Sequence, residues 1–456
     1  MARIIQPIAS TAYTGPTQKM NRWHAYQALI LIFPLPFGGD VIWAWSLYSF
    51  TCFTLLVLEL NQRFKKTKIA NLPLALTKAT PIVLLLLAAQ ILAAIQLIFS
   101  PTPFNNANYL ALIKGLSLSL FLPLTLLMLE NKDRVKRTVW LIIFAAAFQA
   151  VYGALMVLSG LEWGFFVNKT KFLGTATGTF NFRNHFAGYL EISLAIGIGF
   201  LLTQSQPLKG NWRQKLRQGI ETLLSPKIIM RLLLAIMVIA LVLSRSRMGN
   251  TAFFASLLIT GALALLLMKN KSRSTIILLS SLLIIDVAIV GTFFGVDKVA
   301  QRLQATSAKS EVRDEIAQDT LNIWQQHPLT GIGVGNYRHI YPSNRGPDLN
   351  ASLTVRHAFN DYLQFLAEFG LIAFTLLACS VLWCLYWAIQ AMYLRHSSLH
   401  KGLGFGACMG ITALLIHSTV DYNLQIPANA FMFVFLLALA CIARWAPSRS
   451  TRGHRQ

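Results

Sequence analysis

Thr80-Pro-Ile-Val-Leu-Leu-Leu-Leu-Ala-Ala-Gln-Ile-Leu-Ala-Ala-Ile-Gln-Leu-Ile-Phe99 runs for twenty residues without a charge. A helix of that length rises about 30 Å, the thickness of a bilayer's hydrocarbon core. The same pattern recurs on both sides of it. Spans are expected near 24–39, 41–60, 80–99, 109–129, 138–160, 185–203, 230–246, 251–268, 275–296, 361–389, 402–420 and 430–443. The first is interrupted by Pro34, Pro36, Gly38 and Gly39. Of 456 residues, 55% are hydrophobic and 12% charged, where a soluble domain carries about 25% charge. The chain therefore reads as an all-α polytopic membrane protein of about twelve spans. Residues 1–456 form a single integral membrane domain with no internal repeat and no separate soluble unit.

The net charge of +23 is spread over many short connections rather than one basic patch, so it points to membrane topology and not to nucleic acid. With the N-terminus inside, 27 of the 40 Lys and Arg fall on the inner side, and seven of the remainder lie in one long loop. Both termini are thus expected in the cytoplasm. That loop, residues 297–360 between spans nine and ten, is expected outside and is long enough to be functional. Ser310 can cap a helix that runs to about Gln326 and places Val312, Ile316, Thr320, Ile323 and Trp324 on one face. That face either lies on the membrane surface or, more simply, packs onto the spans. All five cysteines fall inside apolar runs, and no metal-ligand spacing appears.

Polar residues concentrate at three external places. Gly178-Thr-Phe-Asn-Phe-Arg-Asn-His-Phe-Ala-Gly188 puts Arg183, Asn184 and His185 at the mouth of the sixth span. Ser244-Arg-Ser-Arg-Met-Gly249 puts Arg245 and Arg247 at the outer end of the seventh. The long loop contains His327-Pro-Leu-Thr-Gly-Ile-Gly-Val-Gly-Asn336 and ends in Arg356-His-Ala-Phe-Asn-Asp-Tyr362. Guanidinium groups stay charged and hold phosphate oxygens by paired hydrogen bonds. Arg183, Arg245 and Arg247 together suit a diphosphate at the membrane surface; a lone arginine there would more simply snorkel to headgroups. His357, between Arg356 and Asn360, can take a proton from a hydroxyl, or can merely bond an interfacial carbonyl. The Gly331-x-Gly333-x-Gly335 run follows no strand and reads as a turn or a close backbone contact rather than a nucleotide loop. Lys114, Glu191, Asp286, Glu368 and His417 are ionisable groups within spans, and such groups are functional candidates. Glu191 lies two turns below Arg183 and is expected to face the same cavity. Asp421 is expected to form a structural ion pair, an external arginine being one partner.

In this order and sidedness the stretches Phe180–Leu190, Leu243–Gly249, His327–Gly335 and His357–Gly370 resemble the bacterial O-antigen ligase and O-antigen polymerase superfamily. The segment His417–Ala430 is also similar to its members, and the resemblance covers about residues 140 to 440. It implies a GT-C-type helical fold in the bacterial inner membrane, with an active site facing the periplasm. It implies transfer of glycan from an undecaprenyl-diphosphate-linked donor to a lipid A-core acceptor, without a nucleotide sugar, cofactor or metal. It maps the catalytic positions to His357, Arg183 and Arg247, with Arg245 as the alternative to Arg247. Asn184, His185, Arg356, Asn360, Glu191 and Arg245 are expected to bind substrate, and membrane lipids surround the site. A polymerase acting on the same carrier, a protein O-oligosaccharyltransferase and a non-enzymatic transporter of lipid-linked glycan are the competing readings. The transporter reading is weakened because the polar clusters sit at the external rim rather than at midplane in a repeat.

Overall fold

The computed structural model describes residues 17–66, 72–99, 105–164, 167–203, 226–268, 280, 307–347 and 354–448. The span expected at 275–296, with Asp286, lies outside the described residues, as does the start of the long loop. The described helices are α1 (Thr17–Ile32), α2 (Ile42–Lys66), α3 (Leu74–Phe99), α4 (Asn105–Met128), α5 (Lys132–Ser159), α6 (Arg183–Thr203), α7 (Pro226–Leu243), α8 (Arg247–Leu267), α9 (Ser307–Gln326), α10 (Tyr337–Ile340), α11 (Asp361–Leu394), α12 (Ser398–His417) and α13 (Pro427–Trp445). The strand content described is one antiparallel pair, β1 (Trp163–Gly164) with β2 (Val167–Asn168). Among the described residues nine helices are long and apolar enough to cross a membrane: α2 to α6, α8 and α11 to α13. The protein is therefore a multi-pass membrane protein. α1 and α7 fall where the first and seventh spans are expected and are not among the nine.

The helices divide into an inner trio and an outer ring. In the spanning windows 94% of α6 and 89% of α13 is buried, against 28% of α11 and 33% of α3. The trio is drawn together by small residues. A Cβ added to Gly199 would meet Gly406 N at 2.6 Å, and one added to Gly406 would meet Ala195 O at 2.8 Å. Backbones this close gain dispersion contacts, which drive helix association where lipid is as apolar as leucine. One buried polar tie joins the same two helices, His417 Nδ1 lying 2.8 Å from Glu191 Oε1. Glu191 therefore faces α12 and not a cavity, contrary to expectation. At the opposite, basic end of the bundle Arg63 bridges Glu59 at 2.8 Å and Glu130 at 2.9 Å.

The described part of the long loop folds into a cap. Ile316, Thr320 and Ile323 of α9 are buried, with Val312 and Trp324 partly so. The expected face exists, and it packs on Tyr337, Tyr341, Val355 and the outer part of α11 rather than lying on lipid. Tyr341 donates to Asp319 at 2.9 Å, and the Thr320 and Tyr337 hydroxyls lie 2.7 Å apart.

The cap is seated by a break in α11. Gly370 takes φ 70 inside the helix, and residues 328–333 enter the gap. Ile332 N–H donates to Ala367 O at 2.8 Å, Gly333 N–H to Glu368 O at 3.1 Å, and Leu371 N–H to Pro328 O at 2.9 Å. Backbone groups freed by the break thus find main-chain partners, as groups at membrane depth must. Gly331 has φ +75, and a Cβ there would lie 2.5 Å from Gly370 N. The glycine run is accordingly a backbone-packing device.

Candidate functional site

α11 is built to present its first turn. Asn360 caps it, its side chain accepting from Leu363 N–H at 3.1 Å. Asp361 accepts from Ser418 Oγ at 2.8 Å and from Leu424 N–H at 3.0 Å. The segment after α12 is thereby tied to the start of α11, which brings Tyr422 under His357. The rings stack with centroids 4.3 Å apart and planes at 15°. Tyr422 also meets His185 edge-on at 4.7 Å and Phe359 at 5.2 Å. Phe359 holds this contact with φ 51, a left-handed backbone that costs a non-glycine residue about 1–3 kcal/mol and collects at functional sites.

His357, Phe359 and Tyr422 help wall a chamber of about 800 Å³ at the cap end of the bundle. His357, Arg356, Gln364, Glu368, Lys114, Asp40, Lys171, Arg338, Phe182, Phe359 and Tyr422 line it. Lys114 of α4 donates to Gln425 O. A second cavity of about 350 Å³ lies beside it, walled mainly by Leu, Phe, Val and Ala of α3, α4, α11 and α13. The two share Gly115, Leu118, Phe365, Phe369 and Leu424 as lining. A polar chamber therefore adjoins an apolar one, with Lys114 next to the shared wall.

Burial, aided by the Lys114 and His185 charges, lowers the pKa of His357 to about 3. The ring is neutral at ordinary pH and keeps one nitrogen lone pair free, while the same burial makes it a weaker base than free imidazole. Behind Tyr422 sits a buried polar row. His185 Nε2 lies 3.7 Å from Asp421 Oδ1, His417 Nε2 lies 3.9 Å from Asp421 Oδ2, and Asn184 donates to Asp421. Burial opposes ionisation of Asp421, but His185, His417 and the Tyr422 N–H hold its carboxyl below the usual range. Asp421 thus pairs with histidines, not with the external arginine that the sequence suggested.

The arginines gather elsewhere. In Ser244-Arg-Ser-Arg247 the two serines are buried and the two arginines exposed. Ser246 caps α8 by accepting from Gly249 N–H at 3.2 Å, and Arg245 turns outward with φ 52. Arg183 opens α6 and feels the charges of Arg245, Arg247 and also Arg313. Arg313, on α9, lies over the Phe359 ring at 5.2 Å and donates to Val420 O at 3.0 Å. Arg183 lies over Phe172 at 5.7 Å, and Phe172 packs on Phe182 at 5.2 Å. The four arginines form a patch beside the aromatic wall of Phe182, Phe359 and Tyr422, whose other side faces the chamber.

The structure therefore brings His357 and Arg356 to the chamber, gathers Arg183, Arg245 and Arg247 outside it, and uses Asn184 and His185 to hold Asp421. Sequence reasoning missed Arg313 and Tyr422 as neighbours of the site, because nothing in their spacing signals the long-range contact, and it gave no role to Gln364, which lies seven residues after His357 within the stretch His357–Gly370. Lys114 did carry a signal, being a lysine inside a span.

Residues 232–378 match the family described as O-antigen ligase. The match supports the O-antigen ligase superfamily and covers α7, α8, the cap and the first half of α11, hence Arg245, Arg247, Arg313, His357, Gln364 and Glu368. No curated protein matches the chain.

Proposed function

We propose that this protein is a membrane glycosyltransferase that moves glycan from an undecaprenyl-diphosphate carrier to a lipid A-core hydroxyl at the periplasmic face of the bacterial inner membrane, in a twelve-span, GT-C-type fold with both termini in the cytoplasm. The observation that carries this reading is the joined pair of cavities. A lipid with a bulky polar head needs an apolar side chamber opening into a polar one, and α3, α4, α11 and α13 enclose such a pair. The carrier's tail would occupy the apolar chamber and its diphosphate the junction beside Lys114. The arginine patch borders the same chamber and would hold the charge that the leaving diphosphate gains.

His357 supplies the base. The acceptor hydroxyl gives its proton to the imidazole as its oxygen forms a bond to the anomeric carbon. The bond from that carbon to the phosphate oxygen breaks, and its electron pair leaves with the diphosphate. A single displacement inverts the anomeric centre. No step calls on a metal or a cofactor.

The test is deletion of the gene in its own bacterium, followed by gel analysis of lipopolysaccharide and of carrier-linked glycan. Bare core with long glycan stranded on the carrier is the expected result. Core bearing one repeat unit would assign polymerase activity instead. Unchanged lipopolysaccharide would exclude both and turn the search to a protein acceptor.

A further inference from the structure

Gln364 stands one turn before Glu368 and one turn after the capping Asn360 on α11, so all three side chains line up along one helix face. Its amide meets the catalytic loop at two points. Ala358 N–H donates to Gln364 Oε1 at 3.2 Å. A backbone N–H only donates, so this contact identifies the amide oxygen. His357 Nδ1 lies 3.3 Å from the same oxygen and 3.2 Å from Nε2. The Glu368 carboxylate also acts on the Gln364 side chain, which favours turning the amide nitrogen toward it and the oxygen toward Nδ1. Glu368 in turn accepts from Tyr337 N–H at 3.3 Å and is buried. The row Glu368, Gln364, His357 is therefore anchored at the cap and ends in the chamber.

We propose that Gln364, oriented by Glu368, is a positioning residue that keeps the His357 proton on Nδ1 and turns the Nε2 lone pair toward the chamber. The assignment rests on His357 acting as the base. Oε1 accepts from both Ala358 N–H and Nδ1–H, which uses its two lone pairs. A neutral imidazole with its proton on Nδ1 has its basic site on Nε2. An amide in place of the carboxylate found beside many catalytic histidines orients the ring while favouring the imidazolium less than a charged partner would.

The groups that face the ring are Lys114 from α4, His185 from α6, Asp421 and Tyr422 from the segment after α12, and Arg356 beside it. All are kept in the following exchange, so a change in pH profile reports the move of the carboxylate from position 368 to position 364. In Gln364→Glu/Glu368→Gln the carboxylate moves next to Nδ1–H while the number of charges stays the same. A carboxylate there favours the imidazolium, so the acid limb of kcat moves up toward neutral pH by at least one unit, with kcat retained within about tenfold at the new optimum. Gln364→Leu removes the acceptor and is expected to lower kcat about 100-fold with KM within about threefold.

The assay uses the purified full chain, an undecaprenyl-diphosphate oligosaccharide as donor and core-only lipopolysaccharide as acceptor, with His357→Ala run in parallel. An inactive His357→Ala with wild-type kcat in Gln364→Leu overturns the positioning role alone. Full turnover by His357→Ala removes the base itself. If Gln364→Leu fails to fold, judged by its thermal midpoint, the exchange variant decides. An acid limb unmoved from the wild type, or a folded exchange variant without activity, overturns the proposal.

Discussion

Two basic regions meet at the cap end of this protein, and they are built in opposite ways. The chamber around His357 mixes its cations with Asp40 and Glu368 and borders an apolar cavity. The patch of Arg183, Arg245, Arg247 and Arg313 gathers four cations on three separate segments, with Arg245, Arg247 and Arg313 exposed. A group in a walled space acts on one neighbouring atom. Exposed charges act at longer range and are weakened by salt. The contrast predicts that chemistry belongs to the chamber and capture to the patch.

The largest effect should come from His357→Ala, a loss of about 10³-fold in kcat with normal insertion and expression, read by glycan transfer in vitro. A comparable loss in Arg183→Ala would erase the division of labour. Lys114→Met is next, with about a 100-fold fall in kcat/KM if the diphosphate lies at the junction of the cavities. Should Lys114→Met stay near wild type while Arg183→Ala and Arg247→Ala fall that far, the diphosphate belongs to the patch. Otherwise single arginine variants are expected to raise donor KM about tenfold. That effect should shrink between low and high salt, with lysine rescuing poorly because a point charge cannot reproduce the fork. The smallest effect concerns Asn360, read in the sequence as a substrate ligand and found as a helix cap. Asn360→Ala should cost about 1 kcal/mol of stability, seen in thermal unfolding, and Asn360→Ser should recover most of it.

Much of the architecture was legible because membrane burial needs long apolar runs, and these are local. The spans at 41–60, 80–99 and 361–389 each correspond to a helix of that character. The face of α9 was legible because helical period repeats every few residues. The site was only half legible. Serine–arginine alternation and the ending His357-x-x-Asn360 mark external polar groups, but not which of them share a wall. Glu191 shows the limit: its place on α6 is plain, yet its partner His417 lies 226 positions away. Packing of α6 on α12, set by glycines, decides that pairing. Tyr422 was likewise invisible as the ring under His357, since only the Asp361 ties to Ser418 and Leu424 bring it there.

The seat of the cap in broken α11 carries a consequence for how this fold can diversify. The joint is main chain against main chain, closed by Ile332, Gly333 and Leu371 N–H groups and by glycines at 331 and 370. Such a socket reads shape, and of side-chain identity it asks only the glycines at 331 and 370. The exposed residues between the socket and His357 can therefore change while the seat of the cap stays put, provided that buried Tyr337 and Tyr341 are kept. If the proposed acceptor lies against this wall, exchanging exposed cap residues such as Arg338, which lines the chamber, is expected to alter the acceptor used without re-engineering the membrane helices.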